Sequence, residues 1–302
     1  MNRAPNFIVV GAAKSGTTSI HYYLKQHPEI YLPENKESFF FAGISKTFYS
    51  GEGSEYGSNI IENWEDYLTI YENASKEIAI GEVCVAYLYF YKNSIERIKK
   101  YLPSDIKILI ILRNPIDRAF SNYKHHVRDN LEALTFEKAI EPETISKRLE
   151  EKWWWGFDYI SPGMYYEQIK AYLDAFKEVR IIFYEDFEQD TRKTLKYLFE
   201  FLGVDDSFEP DISEKHNVSE IEINTDFKKF LNDPNHSIKK TLRPILLNTI
   251  GIRYTEKIVN FFKDKNTLKI KPKTRQKMIK LYRDDILKLG ELIDRDLSRW
   301  LK

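Results

Sequence analysis

Apolar positions along the chain fall into short continuous runs separated by longer amphipathic stretches, which predicts buried strands alternating with helices. The run Phe7-Ile8-Val9-Val10 reads as a first strand, and Ile20, Tyr23 and Leu24 recur at helical spacing just after it, so a strand and a helix cover about residues 6–27. Residues 31–64 are loop-rich, with Gly43, Gly51, Gly53 and Gly57. A stretch of that length marks a lid or substrate loop. A strand near 78–80 leads to Glu82, and a helix covers 94–101. The most apolar run, 106–112, suits a strand buried on both faces, and a helix begins near Pro115. Residues 135–152 are helical and charged and end in Trp153-Trp154-Trp155-Gly156. A helix from Pro162 to about 177, a strand at 180–184 and a helix through about 202 follow. From Asp226 onward Lys, Arg, Leu and Ile keep helical spacing, and 273–300 reads as one long terminal helix with charges of mixed sign. This order predicts an α/β fold: a parallel sheet with helices on both faces, ligands at the carboxyl ends of its strands, and a helical C-terminal region at about 226–302.

The first strand ends in Gly11-Ala12-Ala13-Lys14-Ser15-Gly16-Thr17-Thr18-Ser19. Free backbone N–H groups at a helix start, the positive dipole end and a lysine together make a cradle for phosphate-like anions. The order is not Walker A, because Lys14 precedes Gly16 and no acidic metal-holding strand is evident. The alternative is a Gly/Ser/Thr-rich turn with a solvated lysine. The 106–112 run ends in a second candidate, Arg113-Asn114-Pro115-Ile116-Asp117-Arg118-Ala119-Phe120-Ser121. Arg113 at the end of a strand can set a planar fork on a phosphate, and Ser121 on the helix can add a hydroxyl donor. Arg118 fits a structural role better, paired with Asp117 or a carboxylate at the sheet end.

Lys14-Ser15-Gly16-Thr17-Thr18-Ser19 resembles the 5′-phosphosulfate loop of sulfotransferases that use 3′-phosphoadenosine 5′-phosphosulfate (PAPS), and Arg-Asn-Pro-x-x-Arg-x-x-Ser resembles their 3′-phosphate motif. Weaker supporting segments are Lys36-Glu37-Ser38-Phe39-Phe40-Phe41, Gly81-Glu82, Phe183-Tyr184-Glu185-Asp186-Phe187 and Lys215-His216-Asn217-Val218-Ser219. The chain is thereby similar to bacterial members of that family, close to the carbohydrate branch with its heparan-type enzymes, over nearly its whole length. The resemblance implies a P-loop-like three-layer fold and sulfuryl transfer from PAPS to an acceptor hydroxyl, less readily an amine, without a metal. It implies that Lys14 with Ser15 to Ser19 holds the phosphosulfate, that Arg113 and Ser121 grip the far phosphate across the nucleoside, and that Lys215 or Asn217 in a closing loop touches the nucleotide.

An alcohol that attacks sulfur must lose its proton, and Glu37 is the candidate base. Aromatic neighbours at 39–41 would desolvate it and raise its pKa, and the resemblance points to the same residue. The alternative is a surface Lys36-Glu37 pair. Two positions depart from relatives: Phe39 stands where many place a histidine, and Val83 where heparan-type enzymes carry a lysine. His125 and His126 are conceivable substitutes, but adjacent helical positions point about 100° apart, so at most one is expected to face the site. Three adjacent tryptophans cannot share one face, so at least one is expected to be exposed or to line a groove.

Composition sets outer limits. The 302 residues, 42% hydrophobic, suffice for a full core and predict one domain over 1–302. Lys plus Arg and Asp plus Glu number 46 each, so no global field draws in nucleic acid, an anionic membrane or a highly sulfated polyanion. Cys84 is the only cysteine and reads as a small core residue; that, with no apolar run of spanning length, predicts a cytoplasmic protein. The acceptor expected is a saccharide or another small, lipid or polyketide alcohol. Two rival functions stay open: a P-loop kinase or nucleotidase using ATP and magnesium, and a non-catalytic nucleotide-binding scaffold.

Overall fold

The computed structural model describes residues 3–34, 36–213 and 268–302. In chain order these form β1 (Phe7–Gly11), α1 (Thr17–Lys25), β2 (Ile30–Tyr31), α2 (Trp64–Thr69), β3 (Ala79–Val83), α3 (Ala86–Tyr89), α4 (Tyr91–Tyr101), β4 (Lys107–Leu112), α5 (Pro115–Arg128), α6 (Phe136–Ala139), α7 (Pro142–Glu150), α8 (Tyr165–Ala175), β5 (Val179–Phe183), α9 (Tyr184–Gln189), α10 (Thr191–Leu202) and α11 (Pro272–Leu292). The five described strands are all parallel, in the order β2-β3-β1-β4-β5. Phe7 pairs with Gly81 on one side and Lys107 on the other, so β1 is central.

The pleat sends alternate residues into two separate cores. Ile8, Val10, Ile108, Ile110 and Leu112 face one, covered by α3, α4, α5, α8 and α11; Phe7, Val9, Leu109 and Ile111 face the other, under α1 and α10. Both faces of β1 and β4 are therefore apolar, which is why these strands read as unbroken hydrophobic runs. The chain leaves β1 for β3 on one flank and returns to β4 on the other. Helices α1 and α5 then depart on opposite faces of the sheet, opening a crevice at the carboxyl ends of β1 and β4.

Several expected bounds shift for physical reasons. The 135–152 stretch is two helices, because Pro142 starts α7 and cannot continue α6. The terminal helix stops at Leu292 rather than 300, and Trp300 lies in a short 3₁₀ turn, Ser298–Leu301. The loop-rich segment contains the 3₁₀ turns Phe40–Ala42 and Ser54–Asn59 and the entry to α2, which Asn63 caps by accepting from the Asp66 N–H at 2.8 Å. Lys215, Asn217 and the start of the expected C-terminal region at 226 lie outside the described residues. Among the described residues no helix is long and apolar enough to cross a membrane.

Candidate functional site

A cavity of about 380 Å³ opens at the crevice, lined by residues from seven parts of the chain, among them Lys14, Thr17, Thr18, Lys36, Glu37, Arg113 and Ser121. The turn after β1 is tied to its neighbour strand, with the Ala12 N–H donating to the Ile111 carbonyl at 2.7 Å. Lys14 and Gly16 both adopt left-handed backbone, φ 66° and 85°. At Gly16 a Cβ would stand 2.9 Å from Cδ2 of Tyr184, so only glycine lets the turn pass under that ring. Thr17 then opens α1, and Thr17 and Thr18 face the cavity. Ser19 lies in the same helical turn. Ser15 is buried, and its Oγ has no hydrogen-bond partner among the described residues. An orphaned hydroxyl beside a lysine and two threonines is a donor set made for an oxyanion.

Lys14 projects into this low-dielectric pocket. Desolvation first, then the neighbouring Arg128 guanidinium, pushes its ammonium down to about 7. Arg113 follows β4, and its Nη1 donates to the Lys14 carbonyl at 2.9 Å while its guanidinium stacks on Tyr184, 4.4 Å from the ring centre. The Arg113 carbonyl accepts from the Tyr165 hydroxyl at 3.1 Å, and Glu185 accepts the next N–H, that of Asn114, at 2.9 Å. The Arg113 side chain and the backbone that carries it are thus both held. The two expected anion sites are adjacent rather than a nucleoside apart, and the chemistry allows it: 3′- and 5′-phosphates hang from one ribose, so only a sugar ring needs to fit between them. Ser121, buried on α5, completes that wall.

Glu37 occupies the opposite wall on a strap held in an unusual conformation. Both Glu37 and Phe39 sit in left-handed backbone, φ 67° and 58°, which costs a non-glycine residue about 1 kcal/mol each. Contacts elsewhere over-determine the strap. The Glu37 N–H donates to the Val83 carbonyl at 3.1 Å, and the Ile61 N–H to the Ser38 carbonyl at 2.8 Å. Ser38 Oγ donates to Oε2 of the buried Glu82 at 2.8 Å, while the Tyr67 and Tyr87 hydroxyls donate to Oε1 at 2.8 Å each. Burial raises the Glu37 carboxyl above its ordinary range against the opposing pull of Lys36 and Lys14. Lys36 Nζ donates to Thr18 Oγ1 at 3.0 Å and so spans from the strap to the anion turn.

Other expectations resolve individually. Arg118 is structural but not paired with Asp117: fully buried, it donates to the Tyr159 carbonyl at 2.6 Å, while Asp117 takes Arg275 at 2.8 Å, because Asp117 points outward from α5. Val83 packs into the core under α1 and does not line the cavity; Phe39 does, edge-on to Trp154 at 5.4 Å. His125 and His126 both line the cavity, contrary to the one-face expectation, because the concave surface wraps around α5. Burial and Lys14 push His125 down to about 4. Trp154 and Trp155 are buried and also line the cavity, whereas Trp153 is half-buried beneath the Arg148 guanidinium. Cys84 is a buried free thiol. Tyr56 and Asn122 are lining residues that the sequence pattern did not single out, and Lys36 and Tyr184 stood in the supporting segments without a role of their own. Lys36 adjoins Glu37 in the strap, and Tyr184 directly follows a strand, which are the signals that could have found them.

The family model described as the sulfotransferase domain matches residues 4–242. The crystal structure of a sulfotransferase from Alicyclobacillus acidocaldarius is 31% identical, covers 99% of this chain and 100% of that one, and superposes with a TM-score of 0.77. Among curated proteins, the membrane-associated sulfotransferase kil1 of Dictyostelium discoideum is 32% identical over 41% of this chain. The mouse bifunctional heparan sulfate N-deacetylase/N-sulfotransferase 1 is 28% identical over 67% of it. The chain spans 23% and 22% of the lengths of those two relatives.

Proposed function

The chain belongs to the sulfotransferase family, and on that premise we propose that it moves a sulfuryl group from PAPS to the hydroxyl of an acceptor bound beside Glu37. The observation that carries the reading is the convergence of Lys14, Thr17, Thr18, Glu37, Arg113 and Ser121 on one cavity. The residues present fit the donor's anions: Lys14, Lys36, Thr17 and Thr18 would hold the phosphosulfate, with the Ser15 hydroxyl beneath, and Arg113 and Ser121 the 3′-phosphate. Bound there, the donor supplies an activated sulfur whose leaving group is a phosphate oxygen. Glu37 takes the acceptor proton as the new oxygen–sulfur bond forms. Lys14 meets the negative charge that gathers on the leaving phosphate oxygen as the old bond breaks, and only this differential stabilisation raises turnover. The aromatic wall of Phe39, Trp154 and Trp155 excludes water and offers flat faces to a ring-bearing acceptor, a saccharide or another alcohol.

Thermal shift with 3′,5′-adenosine bisphosphate against ATP-magnesium tests the donor half. Stabilisation by the bisphosphate, about 2.7 kcal/mol at a hundredfold excess over its Kd, is expected, with little from ATP-magnesium. The reverse order would favour a kinase. Mass spectrometry of an acceptor panel incubated with PAPS, read for gain of one sulfur trioxide, tests transfer; bisphosphate binding with no transfer to any acceptor would favour a scaffold.

A further inference from the structure

Behind the cavity wall formed by α5 and residues 154–156 runs a buried chain of hydrogen bonds that ends on His126. Arg148 forks onto Glu132 with Nη1 and Nη2, both at 2.8 Å. The Tyr159 hydroxyl donates to Glu132 Oε2 at 2.9 Å, and His126 Nδ1 lies 2.9 Å from the same hydroxyl. All four side chains are buried. Both Glu132 oxygens accept from Arg148, and the single proton of Tyr159 serves this charge-assisted acceptor, the stronger of its two options. The hydroxyl lone pair then accepts from His126, which fixes the ring as the Nδ1–H tautomer. Nε2 is left with its lone pair.

Stacking on Phe157, centroids 4.1 Å apart and planes 26° apart, fixes the ring's plane. The Nε2 edge looks toward Gly156, where a Cβ would stand 3.3 Å from Nε2, so glycine leaves that edge uncovered. His126 and Gly156 both line the cavity, with Tyr56, Trp154 and Trp155 around them. Burial pushes the imidazole down to about 3, so it is neutral at working pH. Lysine and arginine around the cavity can only donate. A neutral imidazole nitrogen is the complementary element, one that accepts.

We propose that His126 Nε2 takes a hydrogen bond from a second O–H or N–H of the acceptor substrate, with Tyr159, Glu132 and Arg148 as positioning residues that hold it in the accepting tautomer. The inference rests on the reading of this cavity as a sulfuryl-transfer site. It narrows the acceptor to a molecule that carries a further donor beside its reacting hydroxyl.

Long-range ¹H–¹⁵N spectra of the ¹⁵N-histidine-labelled full chain, with 3′,5′-adenosine bisphosphate bound, test it. At neutral pH the His126 resonances are expected to report an unprotonated Nε2, which shifts when methyl β-D-glucopyranoside, as a polyhydroxylated probe, is titrated in. Tyr159→Phe is expected to mix the tautomers while bisphosphate binding stays unchanged. His126→Leu should weaken the probe about tenfold, and His126→Gln, which keeps an acceptor oxygen, by less. An Nε2–H resonance in the wild-type protein, or an Nε2 indifferent to the probe while the bisphosphate binds, overturns the inference alone. Failure of the wild-type protein to bind the bisphosphate overturns the donor reading and the inference with it.

Discussion

Lys14 carries its charge in a place that penalises it, and its pKa of about 7 against an ordinary 10.5 sets two pH effects of opposite use. In the free protein the ammonium is present below pH 7 and lost above it, so kcat/KM for the donor should fall as pH rises past 7. Glu37, raised by burial, must be ionised to accept a proton, so activity should climb from the acid side and the profile be bell-shaped. For stability the sign reverses: between about 7 and 10.5 the unfolded chain holds a proton on Lys14 that the folded one has shed, so folding gains as pH rises through that window. Lys14→Met should flatten that slope in thermal melts. Lys14→Ala should cut single-turnover transfer by about 10²–10³-fold, the loss typical of a charge-stabilising donor. Glu37→Gln should cut it by about 10²–10⁴-fold while the bisphosphate thermal shift stays unchanged. Unaltered turnover in either variant would refute its assigned role. Lys14, Arg113 and Glu37 were legible in the sequence because anion and proton chemistry admit few residue types at the end of a strand or beside an aromatic run. The acceptor side of His126 was not, since its tautomer is decided by Tyr159 and Glu132, which come from other segments.

The strap that carries Glu37 shows how an element without regular structure is made rigid. Its anchor is Glu82 on β3, a carboxyl that accepts three hydroxyl donors at 2.8 Å and is nevertheless pushed up to about 7 by desolvation. The folded protein therefore holds a proton there between about 4.5 and 7 that the unfolded chain gives up, and this contribution to stability is lost as pH rises through 7. Glu82→Gln keeps two acceptor bonds from the tyrosines and can donate to Ser38. Its melting temperature should match wild type near pH 5 and exceed it near pH 8; the opposite trend would show that the carboxylate form is the one the fold prefers. Glu82→Ala removes the acceptor shared by three hydroxyls, which retain the Ser38–Tyr87 and Tyr67–Tyr71 contacts, and should cost about 3 kcal/mol by urea unfolding. Among elements, β1 and β4 were readable because both faces are buried and the apolar signal is continuous, and the edge strand β5 because Ile181, Ile182 and Phe183 form a short apolar run. The pair Ile30–Tyr31 was not, since two residues hold no period, and the six-residue α2 is too short to show a helical one.

The core under α5, α8 and α11 meets the cavity through the C-terminal turn as well as through the sheet. Trp300 packs against Tyr165 and Phe183, and its carbonyl accepts from Asn114 Nδ2 at 3.4 Å, directly behind Arg113. Trp300→Ala should cost about 3–5 kcal/mol in urea unfolding and also weaken bisphosphate binding, because the cavity it leaves lies under the strand end that aims the guanidinium. Stability lost with binding intact would show that the Lys14 carbonyl, Tyr184, Tyr165 and Glu185 suffice to hold Arg113 in place. The packing of the C-terminal turn against β5 was invisible in the sequence, where periodicity records that a face is apolar but not what covers it. The alternating order of strands and helices did predict the sheet, since parallel pairing leaves few other ways to bury both faces. The bond from Arg113 to the Lys14 carbonyl joins positions 99 residues apart. During synthesis, therefore, the first turn emerges long before its partner, and a fragment ending ahead of β4 would possess the lysine yet lack its clasp; mixing two complementary halves should restore nucleotide capture only once they reassociate.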